Sequence, residues 1–161
     1  MNTIVKSIAP KSVFDDASAV TSTTADFEQG DLLIFNDTTN VIEKPTLETQ
    51  GNTFLGIAQQ TVIDGKVKSP YIGTAVDASQ AIAPIAGPVY GVVAKLVAKT
   101  AITLAPGDLI YLDPATGARG VTNTGTKAIG IYQGAAVAST VAGQEIECLI
   151  GCRFGADTLK F

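Results

Sequence analysis

The 161-residue sequence has no histidine and no tryptophan, one methionine and two cysteines. Without histidine, the chain lacks the usual base of Ser-His-Asp and Cys-His nucleophile activation, and the commonest metal ligand. The cysteines, Cys148 and Cys152, form a lone C-x3-C pair. A closed structural zinc site takes four ligands, so they read as reduced, mostly buried thiols. The G-x4-G-K-[ST] phosphate loop, the G-x-G-x-x-G turn and the D-x-[DN]-x-[DN]-G calcium loop are all missing from the sequence. Carboxylate catalysis of the glycosidase kind is left with Asp15 beside Asp16, and with Glu145 and Glu147 at strand spacing on one face. Four tyrosines and no tryptophan make a poor sugar platform. No catalytic, cofactor-binding or metal residue is expected, and the chain reads as a non-enzyme.

Charge is scarce as well. Charged residues make up 16% of the chain, against about 25% in an ordinary soluble domain. Eleven scattered basic residues and a net charge of -4 leave no basic stripe for a phosphate backbone, which argues against nucleic acid. From 74 to 94 the only charged residue is Asp77, and from 121 to 144 it is Lys127. Gly, Pro, Ser and Thr interrupt both stretches, so neither reads as a membrane span. Both are expected to be β structure that is buried or covered by other subunits. The start, MNTIVKSIAPKSVFDD, lacks a signal-peptide pattern, which makes the cytoplasm the expected place of synthesis.

What is present is β vocabulary. Short runs of Thr, Val and Ile punctuated by Gly, Pro, Asn and Asp predict an all-β domain, a small barrel or sandwich. Candidate strands lie at 31–36, 54–62, 66–76, 88–97, 108–113, 128–136 and 145–154. At most two short helices are expected, at 76–83 with Asp77 as cap and at 135–143. Residues 1–25 read as an arm or edge strand ordered by a partner, 26–154 as a single β domain and 155–161 as a tail.

The chain also repeats itself. GDLLIFNDTTN from Gly30 returns as GDLIYLDPATG from Gly107, FLGIAQQ from Phe54 as AIGIYQG from Ala128, and SVF at 12–14 as PVY at 88–90. VKSPYIG, ending at Gly73, answers EIECLIG, ending at Gly151. The spacing implies two copies of one β unit, about 12–73 and 88–151, closing a common core. Within each copy Gly30 and Gly107 read as turn residues. Asp31 and Asp108 read as acceptors for nearby backbone N–H groups, and Pro114 and Gly117 as hairpin-turn positions. These aspartates are expected to be structural.

In this order and spacing, PVYGVVAKLVAKTAITLAPG, GDLIYLD, PATG, AIGIYQGAA and EIECLIG resemble the capsid decoration (cement) proteins of tailed bacteriophages. That family shares a Gly/Ala/Val-rich β domain with a Gly-Asp-hydrophobic-Tyr-hydrophobic-Asp strand and a later Ile-Gly-Ile strand. The resemblance runs from about residue 27 to 151 and is strongest over 88–151. It implies a homotrimer on the outer surface of an icosahedral head, made in the host cytoplasm, that bridges major capsid protein subunits and uses no cofactor. On that reading the arm supplies capsid contacts, with Val13, Phe14, Asp15 and Asp16 as candidates. The alternative is another virion surface module, a fibre base or a carbohydrate-binding domain, which predicts Tyr71, Tyr90, Tyr111 and Tyr132 clustered on one exposed face.

Overall fold

A computed structural model of the chain describes residues 4–12, 26–39, 41–59, 61–63, 66–68, 75–77, 88–153 and 158–161. Its elements, in order, are β1 (Ile4–Ser12), β2 (Leu32–Asn36), β3 (Val41–Glu43), β4 (Phe54–Ala58), β5 (Thr61–Ile63), β6 (Lys66–Lys68), β7 (Ala75–Asp77), β8 (Pro88–Ala98), β9 (Leu109–Leu112), β10 (Gly120–Thr122), β11 (Gly130–Tyr132) and β12 (Glu145–Ile150). The fold is all-β. Strands β8, β10, β9, β11 and β12 pair in a ring and close a five-stranded barrel; the ring shuts where β10 runs parallel to β8, Gly120 opposite Val97 and Val121 opposite Ala98.

The repeat appears in three dimensions as two matching meanders. Strand β2 pairs with β4 through Leu32–Ile57 and Leu33–Gly56, and β9 pairs with β11 through Leu109–Ile131 and Ile110–Gly130. Every residue on the first strand is displaced by 77 (109 minus 32) and every residue on the second by 74 (131 minus 57). The third strand agrees: Phe35–Ile42 in β2–β3 is matched by Leu112–Val121 in β9–β10.

The fourth expected match falls mostly outside the described residues, and the part that is described lies elsewhere in the topology. Residues 66–68 belong to a separate three-stranded sheet, β5-β6-β7, whereas their expected counterpart β12 lies in the barrel between β11 and β8. The place beside β4 that β12 holds beside β11 is taken by β8, through Ile57–Val89 and Ala58–Pro88. At eleven residues β8 is long enough to serve both units. Its start pairs with β4, its remainder pairs with β12 from Val92 to Val97, and it changes partners around Gly91.

One hydrophobic core joins the two units. Leu32, Ile34, Phe54 and Ile57 of the first pack in one cluster with Leu96, Ile110, Ile129 and Ile150 of the second. Period-2 alternation is clear on the barrel wall. In β12 Ile146, Cys148 and Ile150 point inward and Glu145 and Glu147 outward. The first unit is different, because Phe54–Ala58 is buried at every position. This strand is covered on both faces and reads as a continuous apolar run, whereas β3 keeps the alternation.

Both helix expectations are corrected. Residues 75–77 form strand β7, so Asp77 is no helix cap, and 78–83 lie outside the described residues. Residues 135–143 form a loop whose Val137 bridges Leu104 and whose Thr140 pairs with Ala101 and Ile102. Long-range backbone pairing wins there over a nine-residue helix that is too short and too β-branched to hold itself. Among the described residues the helical content is two 3₁₀ turns, Glu48–Thr53 and Pro114–Thr116. Of the two readings of the N-terminal residues, an arm or an edge strand, residues 4–12 take the second and pair with β8; near the other end Cys152 bridges Lys160.

Candidate functional site

The doubled Gly-Asp phrase builds one turn twice. At Gly30 φ is 95° and at Gly107 it is 94°, a region where only glycine is at ease. Asp31 Oδ2 accepts the N–H of Glu28 at 2.9 Å while its own N–H donates to the Glu28 carbonyl at 3.0 Å. Asp108 Oδ2 accepts the N–H of Ala105 at 2.7 Å, and its N–H donates to the Ala105 carbonyl at 3.0 Å. Each turn is then pinned to the far end of its meander. Gly30 N–H donates to Ala58 and Ala58 N–H to Asp31; Gly107 N–H donates to Tyr132 and Tyr132 N–H to Asp108, all between 2.8 and 3.0 Å. A carboxylate used in this way organises backbone.

The two aspartates differ in setting. Asp31 is 7% exposed, and burial pushes its carboxyl above the ordinary value near 3.8; the Glu28 backbone bond and the charge of Lys44 oppose that rise. Asp108 is half-buried at the barrel rim.

Further along, Asn36 Oδ1 accepts the N–H groups of Thr38 and Thr39, and its counterpart Asp113 accepts the Thr116 hydroxyl at 2.5 Å. Pro114 opens the 3₁₀ turn, and Gly117 ends it at φ 121° with its N–H on the Pro114 carbonyl. Asp113 is 1% exposed, and its Oδ1 has no hydrogen-bond partner among the described residues.

The remaining candidates do not gather into a cleft. Glu145 and Glu147 stand on the solvent side of β12, with Glu145 3.9 Å from Arg119 and Glu147 opposite Lys95. Cys148 is buried, and burial followed by the neighbouring Glu147 pushes its thiol up to about 12, so it stays protonated and unreactive. Cys152 is buried and donates its S–H to the Phe54 carbonyl at 3.6 Å. Among the described residues no group of three or more His, Cys, Asp or Glu is placed to hold a metal. Tyr132 is buried, with its hydroxyl on the Ala135 carbonyl, and Tyr111 and Tyr90 are half-buried, so the expected exposed tyrosine cluster does not form from these three. Tyr71 and the candidate contacts Val13, Phe14, Asp15 and Asp16 lie outside the described residues.

One surface does stand out, and it lies in a stretch that the charge count singled out. The charge-poor stretch 121–144 enters the barrel through Val121, Ile129 and Tyr132, but from 133 onward it is largely exposed loop. Ala135, Ala136, Ala138 and Ser139 are open to solvent, and Val141 is 64% exposed. This loop lies against 100–107, which carries no charge either.

The two loops are tied together by backbone pairs between Leu104 and Val137 and by the Ala101 N–H on Thr140. The Thr103 hydroxyl adds a bond to the Ala138 carbonyl, and the Thr140 hydroxyl one to the Lys99 carbonyl. Ala101 sits at φ 61°, a conformation that costs a non-glycine residue energy and persists because these bonds hold it. The result is a firm, uncharged tip at one end of the barrel, made of small apolar and hydroxyl side chains. Charge depletion looks the same in a buried strand and in an exposed loop, so the sequence could not say which part of the stretch lay inside; what it did not foresee is that 133–144 is loop and not strand. The chain matches no known protein-family model and no curated protein.

Proposed function

We propose that this protein is a structural component of a virion, binding the outside of an icosahedral phage head and stabilising it by bridging major capsid protein subunits. The observation that carries the reading is the uncharged tip formed by loops 100–107 and 133–144. Its backbone is already hydrogen-bonded, so little ordering cost attends docking, and its small side chains allow close approach to another protein surface. The motif resemblance to cement proteins supplies the partner class. The twin aspartates support a non-enzymatic role in this reading, because both are committed to turns. The carbohydrate-binding alternative is weaker, since Tyr132 spends its hydroxyl and its ring inside the fold.

Co-sedimentation with purified heads, together with a solution mass by light scattering, tests the proposal. Saturable binding that is lost in Val141→Asp and Ala138→Asp variants of unchanged melting temperature is the expected result. Heads that fail to pellet the wild-type protein would overturn it.

A further inference from the structure

We infer that β1 is an exchangeable strand, able to leave its own β8 and occupy the β8 edge of a second copy of this chain. By position β1 is to the first unit what β8 is to the second, the strand that precedes the meander. β8 is held on both edges, by β12 on one side and by β1 and β10 on the other. β1 is held on one edge alone among the described residues. Its ladder is also irregular, with register shifts between Ile4 and Lys6 and again between Ser7 and Lys11, whereas the β12–β8 ladder runs through six consecutive pairs without a break. Irregular antiparallel pairing on a single edge is easier to exchange than an unbroken ladder.

The connection allows the exchange. Ser12 lies opposite Val89, next to Pro88, which pairs with Ala58, whose carbonyl receives the Gly30 N–H. Those three inter-strand steps come to about 15 Å, and the four residues from Gly30 back to Asp26 add at most about 14 Å. The 13 residues between Ser12 and Asp26 can reach about 45 Å when extended. That surplus leaves β1 free to seat on its own edge or on a neighbour's.

The occupant is a second copy because the sequence of residues 4–12 is the one strand that the structure shows fitting this edge, and every copy carries it. Exchanged and unexchanged ladders contain the same pairs, so concentration decides between them, and crowding of copies favours exchange. None of this depends on the bound surface being a capsid.

Cysteine cross-linking separates the two arrangements, because the native Cys148 and Cys152 are both buried. Lys11 faces Tyr90 across the ladder. A mixture of the single variants Lys11→Cys and Tyr90→Cys, carrying different tags, joins covalently only when β1 crosses between chains. The expected product under mild oxidant is a mixed-tag band of about 33 kDa, twice the 16.5 kDa chain, rising with protein concentration. The double variant in one chain, at low concentration, is expected to close on itself.

Repeating the design with Lys6→Cys and Val93→Cys, another aligned pair, covers the case in which a Tyr90 variant fails to fold. An intrachain bond in the double variant with no mixed-tag band at any concentration overturns the proposal. So does the absence of any cross-link in both designs, since β1 then does not lie on β8.

Discussion

In the second unit β10 returns to β8 and shuts a barrel, whereas in the first β3 ends the sheet with no described strand beyond it. The same meander, with the same turn and the same register, therefore serves once as a closed wall and once as an open sheet. The difference lies in the strand that follows. In the second unit β12 fills the place beside β11. In the first, the chain turns into the β5-β6-β7 sheet, and β8 is drawn across to fill the place beside β4. A duplication thus yields one domain with a single shared core, because each unit borrows the same strand.

That sharing is most vulnerable where the borrowed strand approaches. A side chain at Gly56 would strike the Val89 carbonyl, and one at Gly130 the Leu149 carbonyl, so the Gly-Ile of FLGIA and AIGIY is the same close approach made twice. Gly56 is also at φ 140°. Gly56→Ala is expected to cost about 3–5 kcal/mol and Gly130→Ala somewhat less, read by urea denaturation. Equal costs at the two sites would show that β8 and β12 are not held alike.

Next in size is the common core. Leu96→Ala, on β8 and fully buried, is expected to cost about 3 kcal/mol. It should lower one cooperative transition rather than split it. Two separate transitions by near-ultraviolet dichroism and tyrosine fluorescence would mean that the units fold independently.

The twin turns allow a finer comparison. Asp31→Ala leaves the Glu28 N–H without its acceptor in a part-buried site and is expected to cost about 1 kcal/mol; Asp108→Ala, where water reaches more freely, should cost about 0.5 kcal/mol. Asp31→Asn keeps the acceptor and removes the charge. Because burial raises the folded-state value of Asp31 above the ordinary 3.8, its ionised form is disfavoured in the fold. Its contribution to stability therefore grows as pH falls through the folded value and levels off below the unfolded one. The Asn variant should lack that gain, so its stability should change less than wild type as pH is lowered from neutral toward 4. An unaltered pH profile would remove Asp31 from the account. The smallest effect belongs to Arg119→Ala: its pair with Glu145 is 3.9 Å long and partly exposed, and about 0.3 kcal/mol is expected.

Much of this could be read from residues. Turn glycines, alternating strands and the constant offset located β2, β4, β9 and β11 and their equivalence. Three-residue strands such as Val41–Glu43 and Gly120–Thr122 were missed, because so short a run has no periodicity to detect. Residues 1–25 read only as an arm or an edge strand because the pairing of β1 is entirely long-range. The stretch 121–144 reads only as buried or covered for a similar reason: absence of charge records what a surface avoids, and burial depends on what packs against it.

The sequence alone determined the local events. Gly30 and Gly107 set turns that other residues reach only with strain, the following aspartates hold those turns by bonds three residues back, and apolar alternation makes the β12 wall one-sided. Only the tertiary structure decided that β8 serves both units, that one copy closes while the other stays open, and that an uncharged loop pair faces solvent. These outcomes depend on which strand wins a contested edge, a competition among segments far apart in the chain that no local pattern records.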